Sequence, residues 1–178
     1  IGLRFGKALN LSRWGMLTLA LISSRSLGSA LQTAHRHRSL VRSRFNLMPE
    51  LDGDLVKIKV AHRPSMPFPV NKIFGIEMLI ASLQRQISDL LLKDFTFSHI
   101  QLSYPAPAHF LQYEKQCQCS VEFKTPSNCL WVPTSTMESL LPLSNQIAEK
   151  QAITLCENEM SRVEQIQRGD IFWLVKSE

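Results

Sequence analysis

The stretch that most restricts the fold runs from Phe95 to Trp131, FTFSHIQLSYPAPAHFLQYEKQCQCSVEFKTPSNCLW. Phe95 and Phe97 alternate with polar residues, and so do Ile100, Leu102 and Tyr104, a period of two that marks a half-buried strand. The phase slips by one residue near His99, which predicts a bulge. Pro105 and Pro107 end that strand because proline donates no ladder hydrogen bond. Pro107 suits a helix's first turn, and the helix after it would set Phe110, Tyr113 and Cys117 on one face. Val121 and Phe123 alternate again, Thr125-Pro126-Ser127-Asn128 turns, and Leu130 and Val132 return. We therefore expect strand, short helix and hairpin in that order.

Upstream, the pattern switches between the two periods. Residues 1–23 are apolar all round, as buried helices are. Ser26 is a good N-cap for a helix bearing Leu27, Ala30, Leu31, Ala34 and Val41. Phe45 and Leu47, the Asp52-Gly53-Asp54 turn, and Val56, Ile58 and Val60 interleaved with Lys57 and Lys59 predict a hairpin with one wet face. A proline-rich loop spans His62 to Pro69. Asn71 opens the strongest helix, with Ile73, Ile76, Ile80, Leu83, Ile87 and Leu90 in a stripe that we expect to face the core. The order helix, strand or hairpin, proline loop occurs twice, over 26–69 and 71–107, and suggests two related lobes sharing one sheet. Past Pro133, Thr134 or Ser135 would cap a short helix through Leu141, and Ser144 or Asn145 a longer one that Gly169-Asp170 interrupts.

The formal charge of +5 has one source. Arg25, Arg36, Arg38, Arg42 and Arg44 lie in a twenty-residue window without an acid and account for the whole excess of 20 basic over 15 acidic residues. Arg36, Arg38, Arg42 and Arg44 form a basic patch with three readings: a solvated helix face, a contact for DNA phosphate or an acidic partner, or an anionic effector site. The spacing of the four cysteines is not a disulfide framework, and we read them as reduced thiols in a cytoplasmic protein. The apolar run Met16–Ile22 is far shorter than the roughly 20 residues a membrane span needs. Glycine-rich phosphate loops, a G-x-S-x-G elbow and an H-E-x-x-H motif are all missing, so the chain does not read as an enzyme. Cys117-x-Cys119 with His109 lacks the usual zinc spacing. We expect no metal and no cofactor.

The "F-x-H…Y-P-A-P" strand end, a helix with an internal tyrosine, "V-x-F", and the "N-x-L-x-V-P" return resemble the N-terminal effector domain of the arabinose-binding-like branch of AraC-type transcription regulators. Gly2-Leu3-Arg4-Phe5-Gly6 resembles that family's first helix, Ser26–Leu31 its "T-L-x-x-A-L" helix start, and Leu141–Asn145 its "P-L-P-x-A/S-N" element. The resemblance covers roughly residues 1–165. It implies a domain that binds a small-molecule effector, often dimerises, and controls a helix-turn-helix domain beyond this chain through which DNA is read. The expected fold is α+β: an antiparallel sheet from two helix–hairpin lobes packed against helices, with C-terminal helices leading to the missing DNA-binding domain. Residues 1–165 would be the regulatory domain. Residues 166–178 would begin the linker, since Ile171–Val175 opens a new apolar element just before Glu178.

A mostly apolar pocket with a few polar tips is what a small-molecule site needs. Tyr104, Phe110, Tyr113, Phe123 and Trp131 supply an aromatic group that lines such a pocket or simply packs a core. His99, the two tyrosine hydroxyls and the Trp131 indole would be its tips. His62 and Arg63, at the equivalent loop of the other lobe, would take a carboxylate or phosphate. A ligand-free dimerisation or scaffold module, using the Ile147–Val163 stripe, is the other function class.

Overall fold

A computed structural model of the chain describes residues 1–41, 43–63 and 72–175, with side chains described through residue 162. Arg42 of the basic patch, most of the 62–69 proline loop, and Asn71, the expected opening residue of the strongest helix, lie outside the described residues. Helix α1 (Gly2–Lys7) lies along α5 (Lys72–Leu91). Glycine makes that approach possible: a Cβ at Gly6 would stand 2.4 Å from the Met78 carbonyl oxygen, and one at Gly2 would stand 2.6 Å from Glu77 Oε2. A 3₁₀ turn (Leu11–Trp14) and Gly15, at φ +55°, lead into α2 (Met16–Ser23). The expected apolar N-terminal segment is thus two helices broken by a glycine in the left-handed region. Leu17, Ala20 and Leu21 are buried, whereas Met16 and Leu19 are exposed.

Ser26 caps α3 (Leu27–Arg36) with a reciprocal capping box: its Oγ accepts from the Ser29 N–H at 3.2 Å, and its own N–H donates to Ser29 Oγ at 2.9 Å. After α4 (Arg38–Val41) comes the expected hairpin, β1 (Phe45–Asp52) and β2 (Leu55–His62), turning at Gly53 with φ +59°. Helix α5 buries Ile76, Ile80, Ile87 and Leu90 as its stripe predicts.

The remaining strands are β3 (His99–Leu102), β4 (Ser120–Phe123) and β5 (Asn128–Pro133), with α6 (Leu111–Cys117) between β3 and β4. They complete a five-stranded sheet in the order β1-β2-β5-β3-β4. The fold is α+β, and its sheet is mixed: β3 and β4 are parallel, joined through α6, because parallel neighbours need a crossover. The expected 121–132 hairpin does not form. β3 lies between β4 and β5, and the link crosses over its end, where Thr125 N–H donates to Leu102 O at 3.1 Å and Lys124, at φ +61°, donates to Tyr104 O. A turn signal marks a reversal of direction but not which strand fills the gap; the apolar Ile100 and Leu102 fill it here. The phase slip at His99 is where the chain enters the sheet, not a bulge: Phe95 and Phe97 are buried in irregular chain ahead of β3. Helix α6 likewise starts four residues after Pro107, behind a turn at 108–110.

Past β5, α7 (Thr134–Met137) is shorter than expected and follows Pro133 rather than a side-chain cap. Asn145 caps α8 (Gln146–Val175): its Oδ1 accepts from the Ile147 and Ala148 N–H groups at 3.0 and 3.1 Å. The helix continues through Gly169, so the expected interruption is absent; one glycine costs a helix only about 1 kcal/mol. Ala152 and Cys156 of α8 are buried, and α8 packs along α2.

Candidate functional site: a buried carboxylate where three helices meet

Glu77 sits in mid-helix within the run Ile73-Phe74-Gly75-Ile76-Glu77-Met78-Leu79-Ile80, on the side of α5 that faces the interior. It is 2 % exposed. A carboxylate taken that far from water survives only if its lone pairs are met. Oε2 accepts from the Gly2 N–H of α1 at 3.0 Å. Oε1 accepts from the Tyr113 hydroxyl of α6 at 2.7 Å and from His109 Nε2 at 2.5 Å. The Tyr113 hydroxyl is 3.0 Å from that of Tyr104; since Tyr113 gives its proton to Glu77, Tyr104 donates to Tyr113. The Ile1 backbone nitrogen is 4.0 Å from Oε2. One carboxylate therefore ties together α1, α5, α6 and the segment that follows β3.

Burial pushes the Glu77 carboxyl up. The hydrogen bonds from His109 and Tyr113, and the charge of His109, together outweigh it and leave the group below its ordinary range. Burial raises both tyrosines well above theirs, and the hydrogen bond to Glu77 raises Tyr113 further, because a phenolate there would face a carboxylate. Both hydroxyls stay protonated and serve as donors. His109 stacks on Tyr113 with ring centroids 5.8 Å apart. Its side chain is 45 % exposed, and it borders a surface cleft of 270 Å³ lined by Ile1, Leu3, Arg4, Gln112 and Gln116. A second cleft, of 610 Å³, opens at the other end of α5 against Lys7, Gln84, Arg85, Asp89, Lys93 and Asp94.

The sequence-derived site residues fall into separate groups. Tyr104, Tyr113 and Phe123 come together: Tyr113 meets Phe123 edge-on at 5.2 Å, Tyr104 lies 6.0 Å from Phe123, and Tyr113 is fully buried. Phe110, just ahead of α6, is 46 % exposed. His99 and Trp131 lie on the opposite face of the sheet from Ile100 and Leu130, stacked at 4.7 Å, with the Lys57 ammonium 5.3 Å over the indole. Trp131 Nε1 is buried and finds no acceptor among the described residues. His62 and Arg63 are at the far end of the hairpin; His62 meets Phe45 edge-on, and the Arg63 guanidinium donates to the Ser43 carbonyl at 3.3 Å. Of the basic patch, Arg36, Arg38 and Arg44 are exposed. Sequence reading missed Glu77 and gave His109 no part in the effector site. The available signal was the acid itself, standing four residues after Ile73 and three before Ile80, within the stripe rather than opposite it.

The arrangement holds charge and protons in place. Among the described residues no group of three or more His, Cys, Asp or Glu is placed to hold a metal. All four cysteines are free, and burial pushes the Cys117 thiol up to about 12. Among the described residues no helix is long and apolar enough to cross a membrane.

Residues 1–141 match the family model for the arabinose-binding domain of AraC transcription regulators, N-terminal. The chain belongs to that family. It is 27 % identical over 169 residues, 95 % of its length, to the ornithine utilization regulator of Pseudomonas aeruginosa, and spans 49 % of that protein. The fold is similar, with a TM-score of 0.73 and 21 % identity, to the crystal structure of the transcriptional regulator CdpR from Pseudomonas aeruginosa, covering 86 % of this chain and 50 % of that one. The chain thus spans about half the length of the relatives it matches, and those relatives are named as regulators and not as enzymes.

Proposed function

We propose that this chain is the ligand-sensing part of an AraC-type regulator. It binds a small-molecule effector in the cytoplasm and controls a C-terminal helix-turn-helix domain that contacts DNA. It acts without a cofactor and without catalysing a reaction, and residues 1–165 form the regulatory unit. The observation that carries this reading is the Glu77 hub in a domain of this family. A ligand that alters one of its donors changes how α6 is held against α1 and α5. For that change to set an output, the effector needs a preference of only about 1–3 kcal/mol for one arrangement over the other. Neither arabinose, in the family's description, nor ornithine, in the relative's name, is carried over as effector. The test is a promoter reporter driven by the longer gene product, with thermal denaturation of the domain read against a metabolite panel. We expect one chemical class both to stabilise the domain and to change reporter output. A panel that does neither would end the sensing reading.

The second reading, a ligand-free dimerisation module, is favoured by one observation. Ile147 and Leu155 on α8, and Leu143 just before it, are 72 %, 47 % and 54 % exposed. Sedimentation of the wild type and of Ile147→Glu separates the two readings. A dimer that Ile147→Glu splits, with no ligand response in the wild type, favours the module.

A further inference from the structure

We propose that the cleft outside His109 is the binding site for a small aliphatic amine, whose ammonium replaces the His109 imidazole on Glu77 Oε1. The proposal rests on the sensing reading above and names its ligand class. Glu77 is the only acid among the donors and acceptors of the hub, and what reaches it must bring N–H or O–H groups. Two of its donors belong to packed helices: the Gly2 N–H is backbone, and Tyr113 is fully buried. The third is different. His109 stands on the turn before α6, nearly half of its side chain faces solvent, and it separates Glu77 from the 270 Å³ cleft. An imidazole that swings outward gives up its stack on Tyr113 and its bond to Oε1, and opens that oxygen to the cleft.

An ammonium fits the vacated position because it brings donors and a positive charge, which a buried carboxylate requires. A neutral sugar hydroxyl brings no charge, and an anion would be repelled. Leu3 gives the cleft an apolar wall for a short aliphatic body, and Gln112 and Gln116 line it as well. Arg4 lines the same cleft and favours a carboxylate at the ligand's other end.

The test uses three matched probes, 4-aminobutyrate, butylamine and butyrate, titrated into the chain by calorimetry and by amide chemical shifts. We expect both amines to bind with shifts at Glu77, His109 and Tyr113, 4-aminobutyrate more tightly, and butyrate not at all. His109→Ala removes the competing group and should tighten amine binding about tenfold. Arg4→Gln should erase the advantage of 4-aminobutyrate over butylamine. Glu77→Gln should abolish binding. If that variant does not fold, His109→Ala still decides, because unchanged or weaker amine binding in a folded His109→Ala protein overturns the proposal. So does binding of butyrate equal to that of the amines, or shifts confined to another surface. If another metabolite binds elsewhere and moves the reporter, this site is wrong and the sensing reading survives. If the amines bind here and neither they nor any metabolite of the panel moves the reporter, the site stands and the sensing reading falls.

Discussion

Two buried polar residues fasten α6 to α5, and they do it by different chemistry. Glu77 and Gln84 are seven residues apart on α5, two turns along one side of the helix. Glu77 is an ionised acceptor whose partners are donors from three other elements. Gln84, 8 % exposed, is a neutral donor: its Nε2 gives to Phe95 O at 2.9 Å and to Cys117 O at 3.1 Å, and its Oε1 has no partner among the described residues. One end of the attachment holds the start of α6 through charge, and the other holds its end through the Cys117 carbonyl. The charged end answers to protons and cations, and the neutral end does not. Only the charged end has a half-exposed side chain, His109, standing between the buried group and a cleft. A switch is best built where one partner can be exchanged, and the two ends differ in just that respect.

The largest expected effect separates the two ends directly. Glu77→Ala removes a buried acceptor from three donors and should destabilise the domain by about 3 kcal/mol in urea denaturation at pH 7. Gln84→Ala strands two carbonyls and should cost about 2 kcal/mol. If Gln84→Ala proves the more damaging, the neutral end is the main fastening. Tyr113→Phe keeps the packing and removes the relay, for about 1–2 kcal/mol. Combined with Glu77→Gln it should cost less than the sum of the two single changes, since both break one hydrogen bond, whereas its combination with Gln84→Ala should be closer to additive.

Acid sharpens the contrast. The folded Glu77 carboxyl titrates below its ordinary value, so the unfolded chain takes up the proton first. The resulting stability is fully present above the ordinary carboxylate range and is lost as pH falls through the lower folded value. Denaturation midpoints measured between pH 7 and pH 3 should show this acid limb in the wild type and in Gln84→Ala, with a shallower limb in Glu77→Gln. The smallest effect is on thiol chemistry. Burial pushes Cys117 to about 12 and Cys119 to about 11. At pH 8 iodoacetamide should modify Cys119 slowly and Cys117 more slowly still. Gln84→Ala, which frees the end of α6, should speed Cys117 more than His109→Ala does.

The reach of sequence reading differs between these features for a physical reason. The α3 capping box, the stripe of α5, the β1–β2 hairpin and the Asn145 cap depend on residues within one or two turns of one another. Their signals are local, and each element stands where its residues place it. The order of resemblances from Gly2 to Asn145 likewise pointed to the family that residues 1–141 match. Tyr104 and Tyr113, the two tyrosines of that stretch, share a hydrogen bond. The strand between β4 and β5, however, comes from upstream of both, with His99 paired to Ser120 across α6, and no local turn signal could announce it.

By itself, then, the amino-acid sequence determined most of the helices and strands, the caps of α3 and α8, the turn at Gly53, and which family's succession of elements they follow. Tertiary structure alone decided that β3 enters between β4 and β5, that His99 and Trp131 stand across the sheet from Tyr104 and Tyr113, and that Glu77 is a hub. A carboxylate's burial depends on donors 32, 36 and 75 residues away, and a one-dimensional pattern contains no term for such distances.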